Sequence, residues 1–237
     1  YFAETDLIDS DNSIDIIVNV FYGSTYLTHP ELWLNDGNGF FTKDISGRLP
    51  ETDNYGFFEL KTSDFDSDSL TDIIFANLHM VIMDAYGNVG DTLSGQNAYF
   101  RNTGDGFYVD ETNLRLPQLD SSTRHLTIYD IDNDNDEDIF VADLMSNYGG
   151  GNQQTRILEN DGYGYFSIIE SGTPEYFSGW FNDSEFGLID EDGYPDLFLT
   201  AIMPGEPGFD RLLINNGDGT FRDESYALPF NFDFSIS

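Results

Sequence analysis

The sequence predicts an all-β protein assembled from four copies of one four-stranded unit, and three observations predict it. An acidic stretch running into an apolar strand occurs four times: LIDSDNSIDIIVNV (7–20), DFDSDSLTDIIFANL (64–78), DIDNDNDEDIFVADL (130–144) and LIDEDGYPDLFLTAI (188–202). A second motif rich in Asn, Asp and Gly alternates with it: LWLNDGNGFF (32–41), AYFRNTGDGFY (98–108), RILENDGYGYF (156–166) and RLLINNGDGTF (211–221). No segment carries sustained helical periodicity.

The Asp that begins each apolar run falls at 15, 72, 138 and 196, spacings of 57, 66 and 58. Two motifs recurring four times in the same order define a repeat of about 60 residues. Each unit reads as four strands. A β-rich stretch precedes the acidic loop, clearest in HLTIYD (125–130). A short, nearly continuous apolar run follows, as in Asp72 to Leu78, of buried-strand length. After a variable stretch, a third strand enters a tight turn of Asn, Asp and Gly, the residues that hairpin turns need, and a Phe-containing strand leaves it.

Four short antiparallel strands per unit, repeated, point to a β-propeller with one blade per unit. A β-sandwich with four coincidentally similar segments is the competing architecture, and the regularity of the repeat argues against it. One blade cannot bury its faces alone, whereas stacked neighbours complete a core. The blades fall near 1–50, 51–117, 118–174 and 175–229, within a single propeller domain. The tail FNFDFSIS (230–237) alternates like an extra strand. The first unit already owns a first strand in YFAETD, so the tail reads as the start of a fifth blade. The four blades are then part of a larger propeller, completed by further blades or a partner subunit. The alternative is a closed four-bladed ring whose tail adds an outer strand to the first blade.

Composition sets the outer limits. The 44 acidic and 9 basic residues give a net charge of −35, which opposes binding to nucleic acid or anionic lipid. With 21 Phe and 14 Tyr the chain is too aromatic for a disordered acidic tract. It contains no Cys, so disulfides and thiol chemistry are excluded. No apolar run approaches the ~18 residues of a membrane span, so membrane insertion is not expected.

Carboxylates at this density repel one another unless something positive sits among them. Each acidic loop can be numbered 1 to 9, ending on the Asp that opens the strand. The third carries Asp130, Asp132, Asp134 and Asp138 at positions 1, 3, 5 and 9; the second carries Asp64, Asp66, Asp68 and Asp72. Alternation puts three carboxylates on one side of a tight loop, and the fourth closes from the strand. Ca²⁺ takes 6–8 oxygens at about 2.3–2.6 Å. The backbone carbonyls at position 7 (Ser13, Leu70, Asp136 and Tyr194) complete the set. In the first and fourth loops position 1 is Leu7 and Leu188, which leaves Asp9, Asp11 and Asp15, and Asp190, Asp192 and Asp196. These two sites are expected to be weaker. An EF-hand is rejected, because position 12 is Phe75 or Val141, inside a strand, where that motif needs Glu. A metal-free Asp-rich turn is the alternative for any one loop; recurrence in four favours up to four Ca²⁺.

The residues at this point resemble the FG-GAP/VCBS repeat family, to which the integrin α-subunit propeller belongs. DEDGYPDLFLTA (190–201) and NNGDGTFRDES (215–225) follow its D-x-D-x-D-G-x-x-D and N-x-G-D-G-x-F patterns. The resemblance implies a calcium-binding propeller with a role in adhesion or recognition, extracellular, secreted or at the cell surface, with the periplasm as a further compartment. Where the pattern has the loop Gly, the first three units have Asn12, Ser69 and Asn135.

In a four-stranded blade the connections between strands 2 and 3 lie on the face away from the acidic loops. They vary most, and variable loops on a rigid scaffold carry binding. Tyr22, Tyr26, Tyr86, Tyr148 and Phe209 are the candidate contacts for a carbohydrate or protein ligand. Catalysis leaves little trace. His29, His79 and His125 are scattered, and no nucleophile motif accompanies them. The expectation is a non-catalytic recognition module. The alternative is a carbohydrate-active enzyme, a polysaccharide lyase or hydrolase, using a loop His with a Tyr such as Tyr22 or Tyr86.

Overall fold

Each acidic loop joins two antiparallel strands, and each Asn-Gly turn joins the next two. A computed structural model describes residues 2–21, 28–51, 56–78, 80–83, 89–93, 95–119, 122–143, 155–169, 181–201, 210–218 and 220–229. The first sheet runs β1 (Phe2–Asp6), β2 (Asp15–Phe21), β3 (Thr28–Asn35) and β4 (Phe41–Lys43), in that spatial order. In the second blade come β5 (Phe57–Ser63), β6 (Asp72–Asn77), a two-stranded hairpin of β7 (Met80–Met83) and β8 (Val89–Leu93), then β9 (Ala98–Asn102) and β10 (Tyr108–Asp110). The third holds β11 (Thr123–Tyr129), β12 (Asp138–Asp143), β13 (Arg156–Asn160) and β14 (Phe166–Ile168). The fourth holds β15 (Phe181–Gly187), β16 (Asp196–Ala201), β17 (Arg211–Asn215) and β18 (Phe221–Asp223). Every pairing in the four sheets is antiparallel.

The expected all-β architecture of four four-stranded blades is therefore present. Among the described residues three elements were not legible in the sequence, one of them the 3-10 turn Ser225–Ala227 that follows β18. The hairpin β7–β8 fills part of the second unit's long connection, and a single helical turn, α1 (Thr112–Arg115), follows β10. No helix among the described residues is long and apolar enough to cross a membrane.

The second strands read as continuous apolar runs because both of their faces are covered. Every residue of β6 and of β12 is buried. The core lies between sheets rather than within one. Ile8, Ile17 and Leu32 of the first blade pack on Phe57, Ile73 and Phe100 of the second. Phe65, Ile74 and Tyr99 meet Leu126, Val141 and Phe166, and Ile131, Phe140 and Ile157 meet Phe181, Leu197 and Phe221. Each buried aliphatic or Phe side chain contributes about 1.5–3 kcal/mol, so the blades stabilise one another in sequence.

The first strands line up side by side, β1 on β5, β5 on β11 and β11 on β15. This is the inner edge of a propeller. Among the described residues the four blades form an open row, with extensive packing between consecutive sheets. The apolar residue at loop position 2 registers this. Ile8, Phe65 and Ile131 are 2%, 1% and 2% exposed against the following blade, while Ile189 of the fourth is 50% exposed. The tail 230–237, expected to start a fifth blade, lies outside the described residues.

Candidate metal centres

The Asp at position 9 anchors every loop. Asp15, Asp72, Asp138 and Asp196 are all buried. One oxygen of each accepts the backbone N–H of the hairpin Asn, from Asn35, Asn102, Asn160 and Asn215, at 2.8–3.0 Å. In three loops the other oxygen accepts the N–H of position 2, from Ile8, Ile131 and Ile189. In the second it accepts the hydroxyl of Tyr99 instead. Burial pushes the carboxyls of Asp72 and Asp138 up to about 7, despite these hydrogen bonds.

The hairpin Asn is the centre of the network, a role the sequence marked only by its recurrence. Its side-chain oxygen accepts backbone N–H groups of the glycine turn, such as those of Gly104 and Gly164. Its amide reaches back to the preceding blade: Asn102 donates to the Ile8 carbonyl at 3.1 Å, Asn160 to Phe65 at 2.9 Å and Asn215 to Ile131 at 3.1 Å. The first three acidic loops are thus each held by their own blade and by the next. Position 6 is left-handed throughout, with φ of 62° at Asn12, 70° at Ser69, 77° at Asn135 and 95° at Gly193. Asn adopts that region more readily than most residues, which accounts for it where the family pattern has Gly.

Above this anchor the loops divide. In the second, ligand oxygens of Asp64, Asp66 and Asp68 lie within 4.8 Å of one another; in the third, those of Asp130, Asp132 and Asp134 do. The position 1 Asp shapes the loop, accepting the N–H groups of positions 5 and 6 at 2.9–3.1 Å. The second cluster holds a buried oxygen with no hydrogen-bond partner, Asp66 Oδ1, and another, Asp136 Oδ1, lies beside the third. Burial and the neighbouring Asp68 raise Asp66; burial and Asp134 raise Asp132. Burial, a hydrogen bond with Asp134 and the charges around it push Asp136 up to about 7. Clustered carboxylates with an unpartnered buried oxygen fit a hard divalent cation. The side chain of Asp136, expected to offer only its carbonyl, lies against Asp134 at the edge of the third cluster.

Among the described residues the first and fourth loops form no such triad, and arginine takes up their charge. Leu7 and Leu188 are exposed at position 1. Asp9 pairs with Arg48 at 3.4 Å and Asp190 with Arg222 at 3.0 Å. For Asp190, desolvation would raise the carboxyl, but the hydrogen bonds from Arg222 and the Asp192 N–H hold it below the usual carboxylate range. Asp11 and Asp192 accept the N–H of position 7, from Ser13 and Tyr194.

The second loop is intermediate. Arg115 reaches Asp66 at 3.1 Å and Arg101 reaches Asp68 at 3.8 Å. Arg48 and Arg115 occupy the same place in successive units, in the RLP that ends each. Both cross to the next blade. Arg48 donates to the Asp105 carbonyl and stacks on Phe107; Arg115 donates to the Tyr163 carbonyl at 2.6 Å and stacks on Tyr165. Each passes over a hairpin glycine in the left-handed region, Gly106 and Gly164, whose Cβ would meet the guanidinium. The third unit has TPE in place of RLP. Among the described residues no Lys or Arg pairs with Asp130, Asp132 or Asp134.

Of the other residues singled out in the sequence, Tyr22, Tyr26, Tyr86, Tyr148, Phe209 and His79 lie outside the described residues. His29 is exposed on β3. His125 lies on β11 between two carboxylates, Glu59 and Asp183.

Residues 64–141 match the family model described as the FG-GAP-like repeat. That stretch is similar to an FG-GAP-like repeat. It begins on the first Asp of the second loop and ends in β12, so it takes in both carboxylate triads. In sequence, no curated protein matches the chain. In structure, it is similar to a lectin from Agrocybe aegerita, described in work on specific recognition of non-reducing terminal N-acetylglucosamine. The TM-score is 0.54 at 15% identity, over 92% of this chain and 50% of the lectin chain. The chain spans about half the length of that lectin, and the likeness is one of fold.

Proposed function

We propose that the chain is a calcium-stabilised recognition module without catalytic activity, acting outside the cytoplasm. Its ligand is a glycan or a protein, held on the face away from the acidic loops. The observation that carries the metal half is the pair of Asp triads at one place in consecutive blades, with a partnerless buried oxygen in the second, on Asp66, and another beside the third, on Asp136. Asp64, Asp66 and Asp68, and Asp130, Asp132 and Asp134, would hold the ions. A bound Ca²⁺ offsets carboxylate repulsion and ties the loop to the strand beneath it. Because the next blade's Asn holds that loop, the ion stiffens a junction between blades. The recognition half is supported by the FG-GAP-like repeat and by the likeness to a lectin fold.

Thermal melting in calcium and in excess chelator tests the first half. Affinities like those of extracellular modules, on the order of 10⁻⁴–10⁻³ M, predict a melting temperature that rises with millimolar calcium through mass action. An unchanged melt would overturn it. Glycan-array binding without turnover of the bound glycan tests the second half, and product release from an oligosaccharide would favour a carbohydrate-active enzyme instead.

A further inference from the structure

At the inner edge of the row, one repeated position carries four different side chains. Four residues before the last residue of the first strand stand Phe2 on β1, Glu59 on β5, His125 on β11 and Asp183 on β15. The two anchoring positions of the repeat, the Asp at position 9 and the hairpin Asn, hold one residue type throughout. This position instead diverges into an aromatic, two acids and an imidazole. It lies ~13 Å along the strands from the acidic loops, at about 3.3 Å per residue. Beside it the strands are irregular. The pairing of β5 with β6 shifts register between Phe57 and Glu59, that of β11 with β12 between Thr123 and His125, and that of β15 with β16 between Phe181 and Asp183. Bulges of this kind re-aim side chains and gather beside active sites. Here they turn Phe58 and Arg124 into the same space.

The result is a cavity of about 290 Å³ lined by Phe2, Phe58, Glu59, Arg124, His125 and Asp183. Its groups are fixed in place. Glu59 is buried and accepts the Leu126 N–H at 2.7 Å. It meets His125 Nδ1 at 3.0 Å, which orients the imidazole, and Nε2 faces Asp183 at 3.1 Å. The Asp183 side chain is 66% exposed. Arg124 lies over the Phe58 ring at 5.0 Å, and the Phe2 ring adjoins it at 5.1 Å.

We propose that this axial cavity is a binding site for an uncharged sugar residue. The proposal deepens the recognition reading and rests on it. A pyranose ring has an apolar C–H face and a rim of hydroxyls that both donate and accept. The Phe pair supplies the wall for the first; Asp183, His125 and Arg124 supply acceptors and donors for the second. Charge narrows the choice. An anionic ligand would meet Glu59, Asp183 and a chain of net charge −35, and a compact cation would meet Arg124. The volume lies at the lower limit for small-molecule sites, about 300–1,000 Å³, which suits one ring rather than a long chain.

Isothermal titration of the calcium-loaded protein with methyl glycosides of neutral hexoses and N-acetylhexosamines tests the proposal. A uronic acid and tetramethylammonium serve as charge controls. At least one neutral glycoside should bind, and Asp183→Asn and Arg124→Gln should each weaken it tenfold or more. Asp183 is exposed, so its variant should keep the wild-type melt and remain informative if Arg124→Gln does not fold. Binding of the charged controls alone, or of no neutral glycoside, would overturn the proposal. A glycoside that binds equally well to both variants would place recognition elsewhere, ending the axial site while leaving the recognition reading intact. The calcium reading is judged separately, by the melt.

Discussion

The third and fourth acidic loops share a backbone path and differ in how their charge is settled. Both end on a buried Asp that ties the hairpin Asn to position 2, Asp138 through Asn160 and Asp196 through Asn215. The third gathers Asp130, Asp132 and Asp134 and has no arginine among the described residues. The fourth has Leu188 at position 1, and Arg222 lies against Asp190. The first loop repeats the fourth with Leu7 and Arg48; the second keeps its triad but shares it with Arg115 and Arg101. The anchor and the carboxylate triad are therefore separable. The repeat needs the Asp at position 9 and the Asn in every blade to build the loop. It needs three further carboxylates, and no competing guanidinium, to make the loop a strong cation site.

The largest effect is expected where anchor and ion coincide. Asp138→Ala and Asp196→Ala each strip two or more backbone N–H groups of their acceptor, at about 1–3 kcal/mol for each buried donor left unpaired. In chelator the two variants should lose comparable stability by denaturant unfolding. In calcium Asp196→Ala should recover as much as the unmodified protein, and Asp138→Ala less. Equal recovery would remove the distinction between the loops.

A gain of function sharpens the comparison further. Leu7→Asp with Arg48→Gln restores the position 1 carboxylate and removes the guanidinium from Asp9. Calcium stoichiometry should rise by one per chain, whereas Arg48→Gln alone should leave it unchanged. No added site in the double variant would mean that the first loop fails for another reason.

How much of this was legible in the sequence follows from which residues repeat. The D-x-D-x-D spacing, the apolar run behind it and the Asn-Gly turn recur four times, so the blade and the triads could be read from the residues alone. The partner of each motif could not. Asn102 and Ile8 are 94 residues apart and meet only because neighbouring blades stack. Arg48 and Arg115 sit in a repeated RLP that reads as a unit boundary, and only the packing of the next blade brings them to Asp9 and Asp66. The axial cavity was invisible for the opposite reason, since Phe2, Glu59, His125 and Asp183 share a position but no residue type.

Acid should expose the difference in charge. In the calcium-free protein Asp72, Asp136 and Asp138 titrate near 7, against an ordinary value of 3.8. Between about pH 4 and 7 the folded chain holds protons that the unfolded chain has shed, so stability should fall as pH rises through that window. Calcium takes the ionised form and displaces those protons. The calcium-dependent rise in melting temperature should therefore grow from about pH 5 to about pH 8. A rise independent of pH would place the ion away from these carboxylates.

The smallest effect concerns the two triads themselves. Arg101 sits 3.8 Å from Asp68 and is partly exposed, so Arg101→Gln should tighten the weaker of two calcium sites by less than tenfold. The stronger site, in the third loop, should not change. A shift in both would show that the arginine acts through the general field of the protein.

We propose that calcium settles two of the four loops and arginine the other two. Equilibrium calcium binding to metal-stripped protein measures it directly, alongside Asp132→Asn and Asp190→Asn. Two ions per chain are expected, one in the Asp132 variant and still two in the Asp190 variant. Four ions per chain, or a loss on changing Asp190, would contradict it.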